Sequence, residues 1–109
     1  MNYQNKILNL LTICRKAGKL ILGFDAVKEA VLAGKAESVL VTRDISPKTL
    51  KEAKYYCSKR NIQIIKLNCD MDIFVGAFKN KKKIAIMAVN DKGFINRIVE
   101  LSLEDTENP

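Results

Sequence analysis

Residues 38–67, SVLVTRDISPKTLKEAKYYCSKRNIQIIKL, carry the clearest structural signals in the chain. Ser38-Val39-Leu40-Val41-Thr42 has an apolar centre rich in β-branched residues, the pattern of a buried strand, and Arg43-Asp44 leads the chain out of it. Ser46 then predicts a helix N-cap with Pro47 as the first helical residue, while Ile45 before the cap can staple onto Leu50. Leu50, Ala53 and Cys57 mark the inner face of that helix, Asn61 ends it, and Ile62 to Leu67 predicts a further strand. Strand, capped helix and strand therefore follow one another with almost no intervening loop.

The same alternation extends outward in both directions. Downstream, a helical turn or two from Asp70 or Asp72 carries Ile73, Phe74, Ala77 and Phe78, and the two carboxylates are expected to cap its start, where the helix dipole favours negative charge. Lys79-Asn80-Lys81-Lys82-Lys83 breaks the pattern, and Ile84 to Val89 is an uninterrupted apolar strand expected at the centre of a sheet. Asn90-Asp91-Lys92-Gly93 predicts a turn, Phe94 to Leu101 or Leu103 a last helix, and Asp105 to Pro109 a frayed acidic end. Upstream, Ile7, Leu10, Leu11, Cys14 and Ala17 form one apolar helix face that stops at Gly18. Lys19 to Gly23 predicts a brief strand, and Asp25 is expected to cap a short helix carrying Val27, Ala30 and Val31 until Gly34. Alternating helices and strands predict an α/β fold, a three-layer α/β/α sandwich around a sheet of about four strands. Periodicity leaves open whether that sheet is mixed or wholly parallel. One domain is expected over residues 1–103, with residues 104–109 an acidic C-terminal tail.

The charge is unevenly placed. Of 109 residues, 19 are Lys or Arg and 12 Asp or Glu, for a formal +7, but Glu100, Glu104, Asp105 and Glu107 all fall in the last ten residues. Residues 1–99 alone carry 19 cations against 8 anions, or +11. Such a body points to an anionic partner, nucleic acid or an acidic surface, against the plainer reading of a basic, well-solvated exterior.

Histidine is absent, which removes the usual general base near neutral pH, every Ser/His or Cys/His nucleophile pair and all imidazole metal sites. Cys14, Cys57 and Cys69 form no C-x-x-C pair, so no structural zinc site and no metal or other cofactor is expected. All three lie among apolar neighbours and are read as buried reduced thiols of a cytoplasmic protein. The apolar stretch from Ile7 to Ile13 is interrupted by Asn9 and Thr12 and is followed by Arg15-Lys16, which does not fit a signal peptide. No run reaches the ~18 apolar residues of a membrane span.

Two segments offer a binding chemistry. The Gly18 to Gly23 spacing is not a phosphate loop, because Phe24-Asp25 stand where Lys and Ser or Thr would be needed. The turn Gly23-Phe24-Asp25 nevertheless opens a helix whose amides could meet a phosphate or base edge, with Lys19 and Lys28 close in sequence. Lys79, Lys81, Lys82 and Lys83 place four cations in a five-residue loop, able either to track phosphates or simply to keep a loop tip solvated. Phe24 could stack on a base or pack inward; Tyr55 and Tyr56 are expected to be partly buried helix residues rather than stacking platforms.

The order Arg15-Lys16-Ala17-Gly18-Lys19, Gly23, Ala30-Val31, Gly34-Lys35-Ala36, Val39-Leu40-Val41, Asp44-Ile45-Ser46-Pro47, Cys57 and Asn61-Ile62 resembles the ribosomal-protein family of kink-turn RNA binders, the large-subunit L-seven-Ae type. Asp91-Lys92-Gly93-Phe94 also conforms to a small bacterial branch of that family, often called YlxQ-like, and the resemblance spans roughly residues 5–99. It implies a four-stranded mixed sheet and noncatalytic binding of structured RNA, such as ribosomal RNA; a cytoplasmic monomer with no membrane partner is expected. In the family, the helix after the glycine opens with threonine, asparagine and glutamate, and a lysine follows one turn later. The matching places here hold Phe24, Asp25, Ala26 and Glu29, so an amide donor is replaced by an acceptor and a cation by an anion. The small apolar loop that the family packs against the kinked bases is here Asn80-Lys81-Lys82-Lys83. RNA-binding residues are accordingly expected at Lys19, Gly23, Phe24, Asp25, Lys28, Lys79, Lys81, Lys82 and Lys83, with no catalytic residue. The alternative is a protein-interaction module that keeps the fold and has reassigned the RNA face.

Overall fold

Periodicity, caps and glycines set nine elements in a computed structural model that describes residues 3–78 and 82–107. In chain order they are α1 (Tyr3–Lys16), β1 (Leu20–Leu22), α2 (Phe24–Leu32), β2 (Ser38–Val41), α3 (Pro47–Ser58), β3 (Gln63–Lys66), α4 (Ile73–Ala77), β4 (Ile86–Val89) and α5 (Lys92–Glu107). α1 ends where Gly18 takes φ +72°, letting its amide bond the Arg15 carbonyl and that of Lys19 bond the Cys14 carbonyl. Gly34, at φ +74°, closes α2 in the same way. Ser46 caps α3 as expected, its hydroxyl accepting from the Thr49 amide at 3.2 Å with Pro47 behind it.

The strands form one sheet in the order β1-β4-β2-β3. β4 runs antiparallel to both β1 and β2, whereas β2 and β3 are parallel, so the sheet is mixed. Register explains the two cores. Leu22, Met87, Leu40 and Ile65 lie in one row across the four strands, and Ile21, Ala88, Val39 and Ile64 in the next. Successive rows point to opposite faces. The first joins Ile7, Leu11 and Cys14 of α1, Phe74 of α4 and Ile95, Ile98 and Leu101 of α5; the second joins Val27 and Val31 of α2 with Ala53, Tyr56 and Cys57 of α3. The result is the expected three-layer sandwich, with β2 and β4 buried along their whole length.

Several local expectations are corrected. Ala17 is exposed rather than core. Residues 90–93 are not a free turn: the Asp91 carboxylate accepts from the Phe94 amide at 3.1 Å, so α5 already starts at Lys92. That helix continues to Glu107 instead of stopping near residue 103, so residues 105–107 are helical rather than frayed. Residues 108–109 of the expected tail, and Lys79, Asn80 and Lys81 of the lysine loop, lie outside the described residues.

Candidate functional site

The mixed topology brings four chain segments to one end of the sheet. β1, β2 and β3 all finish there, and β4 begins there. The Gly23 amide donates to the Ile86 carbonyl at 3.1 Å, the Thr42 amide to Ala85 at 2.9 Å, and the Leu67 amide to Val41 at 2.8 Å. The start of α2 is thereby pinned to the start of β4, into which Lys82 and Lys83 lead. Lys83 is three residues before Ile86, so its Cα lies within ~11 Å of the Ile86 Cα even in a fully extended chain.

Gly23 is the N-cap of α2, at φ +96° and ψ 157°, and supplies no side chain to its amides. Asp25, expected as that cap, is instead the second helical residue. It is exposed in the first turn, where its charge suits the helix dipole. The reason is conformational: this tight strand-to-helix turn needs a backbone that essentially only glycine adopts, so the helix starts two residues early. Ala26 and Glu29 are also exposed on α2, and Glu29 lies one turn beyond Asp25 on the same helix face. Phe24 turns inward, with its ring edge-on to that of Tyr56 at a centroid distance of 6.0 Å.

The predicted cations do not all converge. Lys82 and Lys83 are exposed at the Gly23 end. Lys28 is exposed one turn into α2 and borders the groove between α2 and α3. Lys19 sits at the opposite end of β1, where its carbonyl accepts from the Asn90 amide at 2.9 Å. The structure thus separates Lys19 from the Gly23 turn by the length of that strand.

An ion-paired clasp at this sheet end was not foreseen from sequence. Arg43 Nε donates to Asp70 Oδ1 at 2.9 Å and its Nη1 to Asn68 Oδ1 at 3.3 Å, while Asp44 Oδ1 accepts from the Met71 amide at 2.9 Å. The Arg43 amide also donates to the Cys69 carbonyl at 2.9 Å. The loops following β2 and β3 are thus laced together at the same end of the sheet as Gly23, with β4 lying between them and β1. Hydrogen bonding to Arg43 holds the Asp70 carboxyl below its ordinary pKa, and the same bond raises that of Arg43. Asp70 is therefore Arg43's partner rather than a helix cap, and Asp72 stands at the N-cap of α4 with no side-chain bond to it. The available signal was the pair Arg43-Asp44 directly after a buried strand, but its partner lies 27 residues away. Tyr55 also departs from expectation, being 65% exposed.

Among the described residues, no group of three or more His, Cys, Asp or Glu side chains could hold a metal ion. Nor is any described helix long and apolar enough to cross a membrane. Cys14, Cys57 and Cys69 are free and buried, and burial pushes each thiol up to about 11. Raised thiols of this kind are poor nucleophiles.

The model of the ribosomal protein L7Ae/L30e/S12e/Gadd45 family matches residues 5–99. The chain belongs to this family. It is 28% identical over 92 residues to the RNA-binding protein YlxQ of Bacillus subtilis (strain 168), covering 84% of this chain and 90% of that protein. A protein of unknown function from Bacillus halodurans C superposes with a TM-score of 0.75 at 25% identity, over 88% of this chain and 95% of the other. The Giardia lamblia 15.5 kD RNA binding protein superposes with a TM-score of 0.71 over 96% of this chain and 88% of its own; at 15% identity this likeness concerns the fold. The mixed four-stranded sheet and the α/β/α layering are those of the L7Ae family, as the resemblance implied.

Proposed function

We propose that this protein binds structured RNA without catalysis, through the sheet end where the Gly23 turn meets Lys82 and Lys83. The observation that carries the reading is the Gly23 amide bond to Ile86, which sets the opening of α2 beside the strand that the lysine loop feeds. Two exposed lysines and a cap without a side chain form a surface suited to phosphates and backbone. Membership of the L7Ae family over residues 5–99 and the likeness to an RNA-binding protein from Bacillus subtilis support the same reading. The protein acts as a monomer, with ribosomal RNA among its candidate partners. A cytoplasmic setting suits its three reduced thiols.

Lysines bind phosphate as mobile point charges, so contacts of this kind give affinity that depends on salt and little reading of sequence. Fluorescence anisotropy on a kink-turn RNA and a matched unkinked duplex, across a salt series, tests the proposal. With ~3–5 phosphates neutralised, log K against log salt is expected to fall with a slope of roughly −3 to −4.5. Replacing Lys82 and Lys83 together by Ser should weaken both RNAs alike and make the slope shallower by about 1.5–2. Absence of binding to either RNA, or a slope near zero, would overturn the reading.

A further inference from the structure

α2 and α3 pack side by side on one face of the sheet, and both run opposite to β1 and β2. Between them lies a groove of about 380 Å³, on the scale of small-ligand sites. Its apolar part is made by Leu32, Tyr55 and Tyr56, and its polar rim by Lys28, Lys51, Lys59 and Glu52. Three cations face one anion. None of these residues belongs to the Gly23 surface.

The spacing along α3 arranges the chemistry. Lys51, Tyr55 and Lys59 follow at i, i+4 and i+8, so an aromatic ring is bracketed by a cation about one turn (~6 Å) to either side. Lys59 Nζ lies 4.4 Å from the centroid of the Tyr55 ring. Tyr55 is nonetheless 65% exposed, so its ring offers a large apolar area to solvent at the groove. Leu32 across the groove is 37% exposed.

The floor adds an independent signal. Tyr56 is only 3% exposed, and its hydroxyl has no hydrogen-bond partner. A buried hydroxyl left unpaired is costly to a fold, and such groups are ordinarily satisfied. Burial, with the neighbouring Cys57 and Glu52, pushes this phenol up to about 12, so it remains a proton donor at any physiological pH. Oη lies beneath the surface, so a ligand reaches it only when the side chains that cover it move.

We propose that the α2–α3 groove is a second RNA subsite that takes an unpaired nucleotide. In this subsite the base stacks on Tyr55, the flanking phosphates meet Lys28, Lys51 and Lys59, and an acceptor on the base edge accepts a hydrogen bond from the Tyr56 hydroxyl. The charge balance selects an anion, and the exposed ring selects a planar one. Phe24, in the first turn of α2, has its ring against that of Tyr56, a residue of the groove, so the groove is linked through that contact to the Gly23 turn. A single strand leaving an RNA docked at the sheet end passes over it. This assignment rests on the RNA-binding reading and extends it from folded RNA to the unpaired nucleotides beside it.

The test is a competition assay on the full chain, using a kink-turn RNA with and without a six-nucleotide adenylate tail. The tail is expected to tighten binding about five- to tenfold, the scale of one stacked base. Tyr55→Ala should abolish the tail's advantage while leaving the untailed RNA unchanged, and Tyr55→Phe should retain it. Tyr56→Phe, which fills the same space, should reduce the advantage by about half. The proposal is overturned if the tail brings no gain, if the gain survives Tyr55→Ala, or if an abasic tail gives the same gain, since charge alone would then suffice. Nuclear magnetic resonance of the tyrosine rings with free hexaadenylate separates this proposal from the one it rests on. Shifts at Tyr55 and Tyr56 support the groove even if the untailed RNA does not bind. Unmoved rings, or equal shifts with hexaglutamate, overturn it, the latter in favour of a protein-docking face.

Discussion

Gly23 occupies a backbone region, φ +96° and ψ 157°, that a side chain cannot enter without strain. No atom would meet an added Cβ within 4 Å, so the demand is conformational and not steric. Gly23→Ala is therefore expected to lower stability by about 1–3 kcal/mol in urea unfolding, and to weaken RNA by displacing the start of α2 from β4. In the sequence this position reads as the close of a strand and Asp25 as the cap, because carboxylate caps have a side-chain signal and a strained turn has none. The next residues carry the question of specificity. Asp25, Ala26 and Glu29 are exposed on α2, where the family resemblance implies asparagine, glutamate and lysine. An ionised Asp25 cannot donate to a purine acceptor, Ala26 has no acceptor to offer, and Glu29 repels phosphate. Converting Asp25 to Asn, Ala26 to Glu and Glu29 to Lys together should raise the preference for a kink-turn over a matched duplex. Each good contact recovered is worth ~1–3 kcal/mol, by analogy with base readout in DNA. Competition binding in constant salt and magnesium checks this; a hundredfold preference in the unaltered protein would show that these side chains are not the readers.

Elements were legible where their signals are local. α3 needed only Ser46, Pro47 and the apolar spacing of Leu50, Ala53 and Cys57, and Ser46 does bond the Thr49 amide. Ser46→Ala should cost about 1 kcal/mol, read as a lower urea midpoint with an unchanged slope. β4 was read as central from its unbroken apolar run, and it does sit between β1 and β2. Its neighbours were not legible, because periodicity says which faces are buried and nothing about which strand lies alongside. The clasp fails for the same reason: Arg43, Asn68 and Asp70 meet only once β2 and β3 are paired in parallel. At α5 the local signal misled. Asn90-Asp91-Lys92-Gly93 has the composition of a turn, but Asp91 uses its carboxylate to cap the helix from which Gly93 cannot then be excluded.

Across the whole molecule, the thiols are divided between the two cores. Cys14 and Cys69 lie in the core beneath α1 and α5, and Cys57 in the core beneath α2 and α3. Burial raises each from 9.0 to about 11. The native state therefore holds its thiol protons to higher pH than the unfolded chain does. Between these values the unfolded state binds fewer protons, so stability falls as pH rises. The contribution is intact below pH 9 and is lost on passing 11, each thiol steepening the decline by up to about 1.4 kcal/mol per pH unit. Urea unfolding under a reducing agent should accordingly give a flat midpoint from pH 7 to 8.5 and a progressive loss from pH 9 to 11. Cys57→Ala with Cys69→Ala removes one titrating group from each core. This variant should be less stable at pH 7 because of the lost packing, yet decline more gently above pH 9. An unchanged alkaline slope would assign the loss to other groups, of which the Tyr56 phenol, raised to about 12, is one.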